Sequence, residues 1–127
     1  MRSASGSVLI VSAEPRLGEG VRMALQRQGM ASIVVSDPVE AVQRLAQDAP
    51  SAILVDMLFT EMDPEQVIHR ALACRETHGS PVVALGNDTE VRDRLLEGGC
   101  TAVLPRDTPP AEVAGLIQGF VRGRTST

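Results

Sequence analysis

The sequence predicts an α/β domain in which five parallel strands alternate with five helices in a doubly wound sheet. Two observations lead to this fold class. Five short apolar runs rich in Val, Ile, Leu and Ala recur along the 127-residue chain, as expected of strands buried on both faces. Each run is followed by a stretch with apolar residues at helical spacing, and helical crossovers of this kind join parallel strands.

The predicted strands are short, and each is followed by polar or turn-forming residues. They lie at residues 7–12, 31–35, 51–56, 81–86 and 101–104. In a doubly wound sheet, chemistry belongs at the carboxyl ends of the strands. The residues at those ends are therefore the first candidates for a functional site: Ser12, Val35, Asp56, Gly86 and Leu104.

The helices are predicted from capping residues and from apolar stripes. Pro15 suits the first turn of helix one, and Gly29 suits its left-handed end. Asp37 and Asp63 each precede a Pro and an early Glu, which is typical of a helix start. Helix four is expected from about Asp88 to Glu97. The residues predicted to face the sheet are Leu17, Val21, Ala24 and Leu25; Val39, Val42, Leu45 and Ala46; Val67, Ile68, Ala71 and Leu72; Val91 and Leu95; and Val113, Leu116, Ile117, Phe120 and Val121.

The predicted domain organisation is simple. Residues 7–122 are expected to form one domain, because no long linker, low-complexity tract or second repeat interrupts the βα units. Residues 1–6 are expected to be a flexible amino terminus. Residues 123–127 are expected to be a tail or the stub of a linker, so the chain is compatible with either a stand-alone protein or a piece of a longer one.

Composition excludes several classes of function. The net charge is −4, and the 12 basic residues, all Arg, are scattered, whereas a nucleic-acid binder needs a clustered cationic face. No apolar segment approaches the length of a membrane span. The two cysteines, Cys74 and Cys100, form no CxxC motif, which favours buried thiols in a reducing cytoplasm over a zinc or disulfide site. We therefore expect a cytoplasmic protein that binds neither nucleic acid nor membrane.

The stretch "ILVDMLFTEMDP" carries the most specific signal. An apolar strand ends in a carboxylate, Asp56, which is followed at once by Met57, Leu58 and Phe59. With the stretches "VLIV" and "EP" near the start, "PVVALGN" and "LLEGGCTAVLPR", it resembles the receiver domain of bacterial response regulators in two-component systems. This resemblance covers nearly the whole chain and implies a flavodoxin-like (βα)5 sheet with strand order 2-1-3-4-5.

The resemblance also implies a set of functional positions, most of which are altered here. Asp56 falls on the phosphoacceptor. The acidic pair that holds Mg²⁺ in the family falls on Ser12 and Ala13, and the hydroxyl residue falls on Gly86. The Lys falls on Arg106, and the aromatic residue that follows the switch falls on Val103.

These changes favour a degenerate receiver without a phosphorylation cycle. Phosphoryl transfer to a carboxylate depends on positioning and charge neutralisation, and Mg²⁺ usually needs one or two carboxylates in addition to phosphate oxygens. We therefore expect no cofactor and no enzymatic activity beyond, at most, residual self-phosphorylation of Asp56. The alternative is a working phosphoacceptor, phosphorylated by a histidine kinase, with Mg²⁺ held by Asp56 and by Glu14 as a substitute acid. A flavodoxin-like small-molecule binder ranks last, because no phosphate-binding loop follows a strand.

A protein partner is the expected ligand of such a domain. The candidate interaction surface combines apolar residues after Asp56 with basic residues of helix four: Met57, Leu58, Phe59, Met62, Arg92 and Arg94. A histidine kinase or an output domain is the partner that the resemblance implies. It also implies a possible homodimer through helix four, strand five and helix five.

Overall fold

A computed structural model describes residues 7–58 and 64–125 of the chain. The strands are β1 (Val8–Val11), β2 (Ser32–Val35), β3 (Ala52–Asp56), β4 (Val82–Leu85) and β5 (Ala102–Leu104). The helices are α1 (Pro15–Arg27), α2 (Pro38–Gln47), α3 (Pro64–His78), α4 (Thr89–Glu97) and α5 (Pro110–Thr125). The predicted alternation of strands and helices is confirmed.

The strands form one parallel sheet in the order β2-β1-β3-β4-β5, which confirms the expected topology. Alternate side chains of the strands point to opposite faces of the sheet. On one face, Ile10 and Leu54 pack with residues of α1 and α5, such as Leu25 and Ile117. On the other, Val55 and its neighbours pack with residues of α2, α3 and α4. The core is therefore two apolar layers that hold all five strands between helices.

The sheet edge that matters for function lies at the carboxyl ends of β1, β3 and β4. Val11 pairs with Val55 in the register of β1 and β3, and Asp56 pairs with Leu85 in the register of β3 and β4. Asp56 is thus the last residue of a central strand, with a neighbouring strand on either side. At this position its side chain meets Ser12, which follows β1, and Arg106, which follows β5.

Several helix caps were predicted from the sequence and are confirmed. The Asp37 carboxylate accepts a hydrogen bond from the backbone N–H of Val39 at 2.9 Å, and Pro38 begins α2. Gly29 follows α1 with φ 79°, a left-handed conformation that Gly adopts without the steric cost of a Cβ. The predicted cap Asp63 lies outside the described residues.

The apolar stripe predicted for α2 was right for Leu45, which is buried, and wrong for Val39 and Ala46. Val39 is 57% exposed and Ala46 is also exposed, whereas Ala41 is fully buried with Leu45. The buried face includes Pro38, Ala41 and Leu45. Sequence hydrophobicity favoured the larger Val39, which instead lies on the outer side of the first turn.

The remaining differences concern the ends of elements. Each strand is shorter than predicted by one or two residues, and α5 continues through residues 123–125, which were assigned to a tail. In α5, Ala114 is fully buried, whereas the predicted core residues Leu116, Phe120 and Val121 are only half-buried. Across residues 7–58 and 64–125, no helix combines the length and the apolar character needed to cross a membrane.

Both cysteines are buried and unpaired. Burial raises the pKa of the Cys100 thiol to about 11 and also raises that of Cys74. A thiol reacts as its thiolate, so neither sulfur is an active nucleophile at neutral pH. The cysteines therefore serve as small apolar side chains of the core.

Gly18 lies where α1 packs against β2, and a substitution there tests that packing. Gly115 in α5 provides a control at a position with free space. A Cβ at Gly18 would lie 2.8 Å from Val34 Cγ1, whereas a Cβ at Gly115 meets nothing within 4 Å. We expect Gly18→Ala to lower the free energy of unfolding by about 1–3 kcal/mol through overpacking. Gly115→Ala should raise it by about 0.5–1 kcal/mol, since Ala is the better helix former. Urea denaturation of both variants measures the contrast, and a stabilised Gly18→Ala variant would contradict the close approach.

Candidate functional site

The candidate site is built around Asp56, whose side chain is 1% exposed. It lies between Ser12, which directly follows β1, and Arg106, which follows β5. A buried carboxylate is costly unless it is ionised next to a positive charge and fully hydrogen-bonded. The surrounding residues supply both conditions.

Arg106 and Asp56 form a bidentate ion pair. Nε of Arg106 donates to Oδ1 of Asp56 at 2.7 Å, and Nη2 donates to Oδ2 at 2.9 Å. Oδ1 also accepts the backbone N–H of Leu58 at 3.1 Å, and Oδ2 accepts the Ser12 hydroxyl at 3.0 Å. Each carboxylate oxygen therefore accepts two hydrogen bonds.

The electrostatics of the pair follow from this arrangement. Burial raises the pKa of Asp56, but the hydrogen bonds from Arg106, Leu58 and Ser12 and the charge of Arg106 outweigh it, so the pKa is lowered overall. The hydrogen bonds to Asp56 likewise raise the pKa of Arg106 above its usual range. Asp56 is therefore ionised at neutral pH and Arg106 is its permanent counter-ion.

A residue that the sequence patterns did not single out holds the backbone of Arg106. The side-chain oxygen Oδ1 of Asn87 accepts the backbone N–H of Arg106 at 3.0 Å. Arg106 lies in a tight turn closed by the hydrogen bond from the Thr108 N–H to the Pro105 carbonyl at 3.1 Å. Asn87 follows β4, so the only available signal was a polar residue after an apolar strand.

The two positions assigned to the acidic pair are used differently. Ser12 is buried, and its hydroxyl oxygen also accepts the backbone N–H of Glu14 at 3.1 Å, whereas Ala13 is exposed. The Glu14 carboxylate accepts the N–H groups of Arg16 and Leu17 at 2.9 and 3.1 Å and thereby caps α1. The acid suggested as a substitute metal ligand is thus engaged at a helix terminus.

Gly86 lines the cleft beside the site, whereas Val103 lies on β5 against the core. Gly86 is half-buried directly after β4, and a Cβ there would lie 3.4 Å from Met57 Cβ. Val103 is half-buried on β5 and packs on the same core layer as Met57. No hydroxyl group at position 86 and no aromatic ring at position 103 is therefore available near Asp56.

The predicted interaction surface is only partly described. Leu58 is 58% exposed beside a cleft of about 490 Å³ whose walls include Met57, Val91 and Arg106. Arg92 is exposed on α4, and Arg94 forms an ion pair with Glu65 of α3. Phe59 and Met62 lie outside the described residues. Met57 is half-buried against the core and contributes little exposed surface.

The side chains at Asp56 do not match the donor set of a Mg²⁺ site. Mg²⁺ needs oxygen ligands in near-octahedral geometry, usually including one or two carboxylates. Here a guanidinium occupies both oxygens of Asp56, and a neutral hydroxyl stands beside it. Within residues 7–58 and 64–125, no three His, Cys, Asp or Glu side chains are grouped as a metal site.

The chain is similar in sequence to two curated transcriptional regulatory proteins. It is 32% identical over 105 residues to the "probable transcriptional regulatory protein TcrX" of Mycobacterium tuberculosis, covering 80% of this chain and 43% of the relative. It is 28% identical over 125 residues to the transcriptional regulatory protein SrrA of Staphylococcus aureus, covering 97% and 51%. The chain thus spans about half the length of these relatives. No family model matches the sequence.

Several receiver domains of known structure share this fold. A CheY-like response regulator receiver domain from Methanospirillum hungatei has a TM-score of 0.84 at 15% identity, covering 94% of this chain and 96% of that one. The receiver domain of a histidine kinase from Syntrophus aciditrophicus has a TM-score of 0.79 at 25% identity, covering 96% and 94%. The receiver domain of the sensor histidine kinase PA1611 from Pseudomonas aeruginosa, solved with magnesium in its active-site cleft, has a TM-score of 0.76 at 22% identity, covering 94% and 99%.

The chain is a single parallel sheet between two layers of helices, with a buried carboxylate at the end of β3. With the solved structures above, the strand order and the five helices show that the chain has the fold of a response-regulator receiver domain. The expectation drawn from its motifs is confirmed at this level.

The two partners of the ion pair are expected to differ in how much their replacement lowers the free energy of unfolding. Arg106→Met leaves the Asp56 charge buried without its counter-ion, and we expect it to lower the free energy of unfolding by about 3 kcal/mol at neutral pH. Asp56→Asn should cost less, about 1–2 kcal/mol, because the Arg106 side chain is 22% exposed and water can solvate it. Chemical denaturation of both variants measures the order, and equal or reversed costs would contradict the assignment.

The ion pair between Asp56 and Arg106 also makes the stability of the domain depend on pH in a predictable direction. The folded-state pKa of Asp56 is lowered, so its stabilising contribution is present above the unfolded value of about 3.9 and is lost as pH falls through the folded value. Arg106→Met should raise the folded pKa of Asp56. The stability difference between wild type and Arg106→Met is therefore largest at neutral pH and shrinks on acidification. Denaturant titrations across acidic pH check this, with Asp56→Asn/Arg106→Met as the control that lacks the titrating group.

Proposed function

We propose that this receiver domain signals by protein–protein contact while Asp56 remains unphosphorylated. The observation that carries the proposal is the bidentate ion pair between Asp56 and Arg106. Transfer of a phosphoryl group requires a carboxylate oxygen that is free to attack phosphorus, with cations placed to neutralise the developing charge. In this chain the attacking oxygens already accept hydrogen bonds from Arg106, Ser12 and Leu58.

Arg106 also differs from a lysine in ways that oppose phosphoryl transfer. A guanidinium forms a rigid planar fork that matches one carboxylate, whereas an ammonium is a compact point charge that can move between partners. Releasing Asp56 for reaction would cost both charge-assisted hydrogen bonds at once. We therefore propose that the domain needs no cofactor and has no residual self-phosphorylation activity.

The proposed partner is a protein, either a histidine kinase or an output domain of a larger regulator. The length of the relatives supports an output domain elsewhere in a longer protein, since this chain matches about half of each. The exposed side chains of Leu58 and Arg92 lie on the surface that would meet such a partner. A homodimer through α4, β5 and α5 remains part of the same proposal. Unpaired buried cysteines favour a cytoplasmic location.

Titration with Mg²⁺ and beryllofluoride, followed by backbone NMR, tests the proposal. Beryllofluoride mimics a phosphoryl group on a metal-assisted carboxylate, so a closed site should give no saturable shifts at Asp56, Asn87 or α4. Incubation with acetyl phosphate, followed by intact-protein mass spectrometry, should give no phosphoryl adduct. Saturable shifts that disappear in Asp56→Asn would instead establish the working phosphoacceptor.

A restored variant supplies the positive control. Ser12→Asp, Ala13→Asp and Arg106→Lys together return two acids and a mobile ammonium to the site. This variant should gain Mg²⁺-dependent shifts near Asp56 because the donor set then suits the ion. If Mg²⁺ shifts the resonances of the restored variant but not those of the wild type, the altered residues account for the lack of Mg²⁺ binding in the wild type. A response of the wild type as strong as that of the restored variant would overturn the proposal.

A further inference from the structure

Arg106 has to reach across the sheet to meet Asp56. Asp56 ends β3, whereas Arg106 follows β5, and β4 lies between these two strands. Neighbouring strands lie about 4.8 Å apart, so two strand spacings, roughly 10 Å, separate the backbones of β3 and β5. The guanidinium can therefore lie on the carboxylate only if the backbone of Arg106 is held close to the end of β4.

Two successive hydrogen bonds hold that backbone at the end of β4. The Gly86 N–H donates to the Leu104 carbonyl at 2.9 Å, just beyond the last paired residues of the two strands, Leu85 and Leu104. Oδ1 of Asn87 then accepts the Arg106 N–H at 3.0 Å. Asn side chains can replace backbone groups as hydrogen-bond partners in this way. The Asn87 side chain thus extends the pairing of β4 and β5 to the residue that carries the guanidinium.

The neighbouring residues of the turn make local contacts only with one another. Pro105 has no N–H with which to bond β4. Its carbonyl accepts the N–H and the hydroxyl of Thr108 at 3.1 and 2.7 Å. These two hydrogen bonds shape the turn, but they do not connect it to β4. The connection at Arg106 itself is the hydrogen bond to Asn87.

We propose that Asn87 is a positioning residue that keeps the site closed by fixing the backbone from which Arg106 reaches Asp56. Without Asn87 the turn is free to move away from β4. The planar guanidinium must then give up one or both of its parallel hydrogen bonds, because a rigid fork matches the carboxylate in one geometry. Asn87 acts through Arg106 rather than on the carboxylate. This inference rests on the proposed function, in which the ion pair closes the site.

The Nε–H group of Arg106 supplies a direct test. It donates to Oδ1 of Asp56 at 2.7 Å, so it exchanges with water only when the fork opens. NMR of the intact chain at neutral pH, without Mg²⁺ or phosphodonor, measures this exchange. Asn87→Ala should speed the exchange about fivefold, as the loss of one hydrogen bond predicts. Asn87 is exposed, so its truncation leaves no buried cavity and the variant should fold.

Two further variants separate positioning by Asn87 from general loosening of the turn. Asn87→Asp keeps an oxygen acceptor at the same place and should restore exchange close to the wild-type rate. Thr108→Val removes the hydroxyl bond within the turn but keeps the backbone bond to Pro105, so its rate should stay within about twofold of the wild type. The role of Asn87 is overturned if Asn87→Ala leaves the exchange unchanged, if Asn87→Asp is as fast as Asn87→Ala, or if Thr108→Val is as fast as Asn87→Ala.

The exchange measurement and the test of the proposed function fail in different ways. Saturable shifts of the wild type with Mg²⁺ and beryllofluoride would overturn the closed site, whatever the exchange rates of the variants. Exchange at Arg106 that does not respond to Asn87→Ala would overturn the positioning role alone, because the ion pair could still close the site by itself.

Discussion

The carboxylate of Asp56 carries a charge that must be balanced in the interior, and the guanidinium of Arg106 balances it. Asp56 is placed at the end of a central strand by the continuous buried run of β3, so it cannot turn to solvent. The buried position would be costly for an unpaired ion. Arg106 supplies both the opposite charge and a geometry that matches two carboxylate oxygens. The arrangement of the turn after β5 and of the loop after β4 follows from where that guanidinium has to be.

A buried ion pair of this kind specifies geometry more than it adds stability. The desolvation of two charges offsets much of their attraction, so an apolar replacement of both residues is often tolerated. Removing one partner is a different matter, because the other is left unpaired. The pair therefore acts as a constraint that favours one arrangement of β3, the turn at Arg106 and Asn87 over others.

The sequence predicted the architecture because the signals for it are local. Apolar runs of strand length, capping residues such as Asp37 and the left-handed Gly29 need no knowledge of distant contacts. At α2, Val39 was mispredicted as a core residue because hydrophobicity ranks it above Ala41, which is buried instead. At the site, the substitutions at positions 12, 86, 103 and 106 were visible from the resemblance. Two contacts could not be predicted from the sequence. They are the bidentate ion pair between Arg106 and Asp56, which are 50 positions apart, and the hydrogen bond between Asn87 and Arg106. Both depend on side-chain conformations where separate loops meet.

The contact between Met57 and Gly86 bears on which substitutions the site can accept. A Cβ at position 86 would lie 3.4 and 3.5 Å from Met57 Cβ and Cγ, which is ordinary van der Waals contact. A serine at this position is therefore sterically compatible with the thioether side chain beside it. Packing leaves room for a hydroxyl at this end of β4, whereas a metal site would require changes of charge at positions 12, 13 and 106. The obstacle to metal chemistry at this sheet edge is thus electrostatic rather than steric.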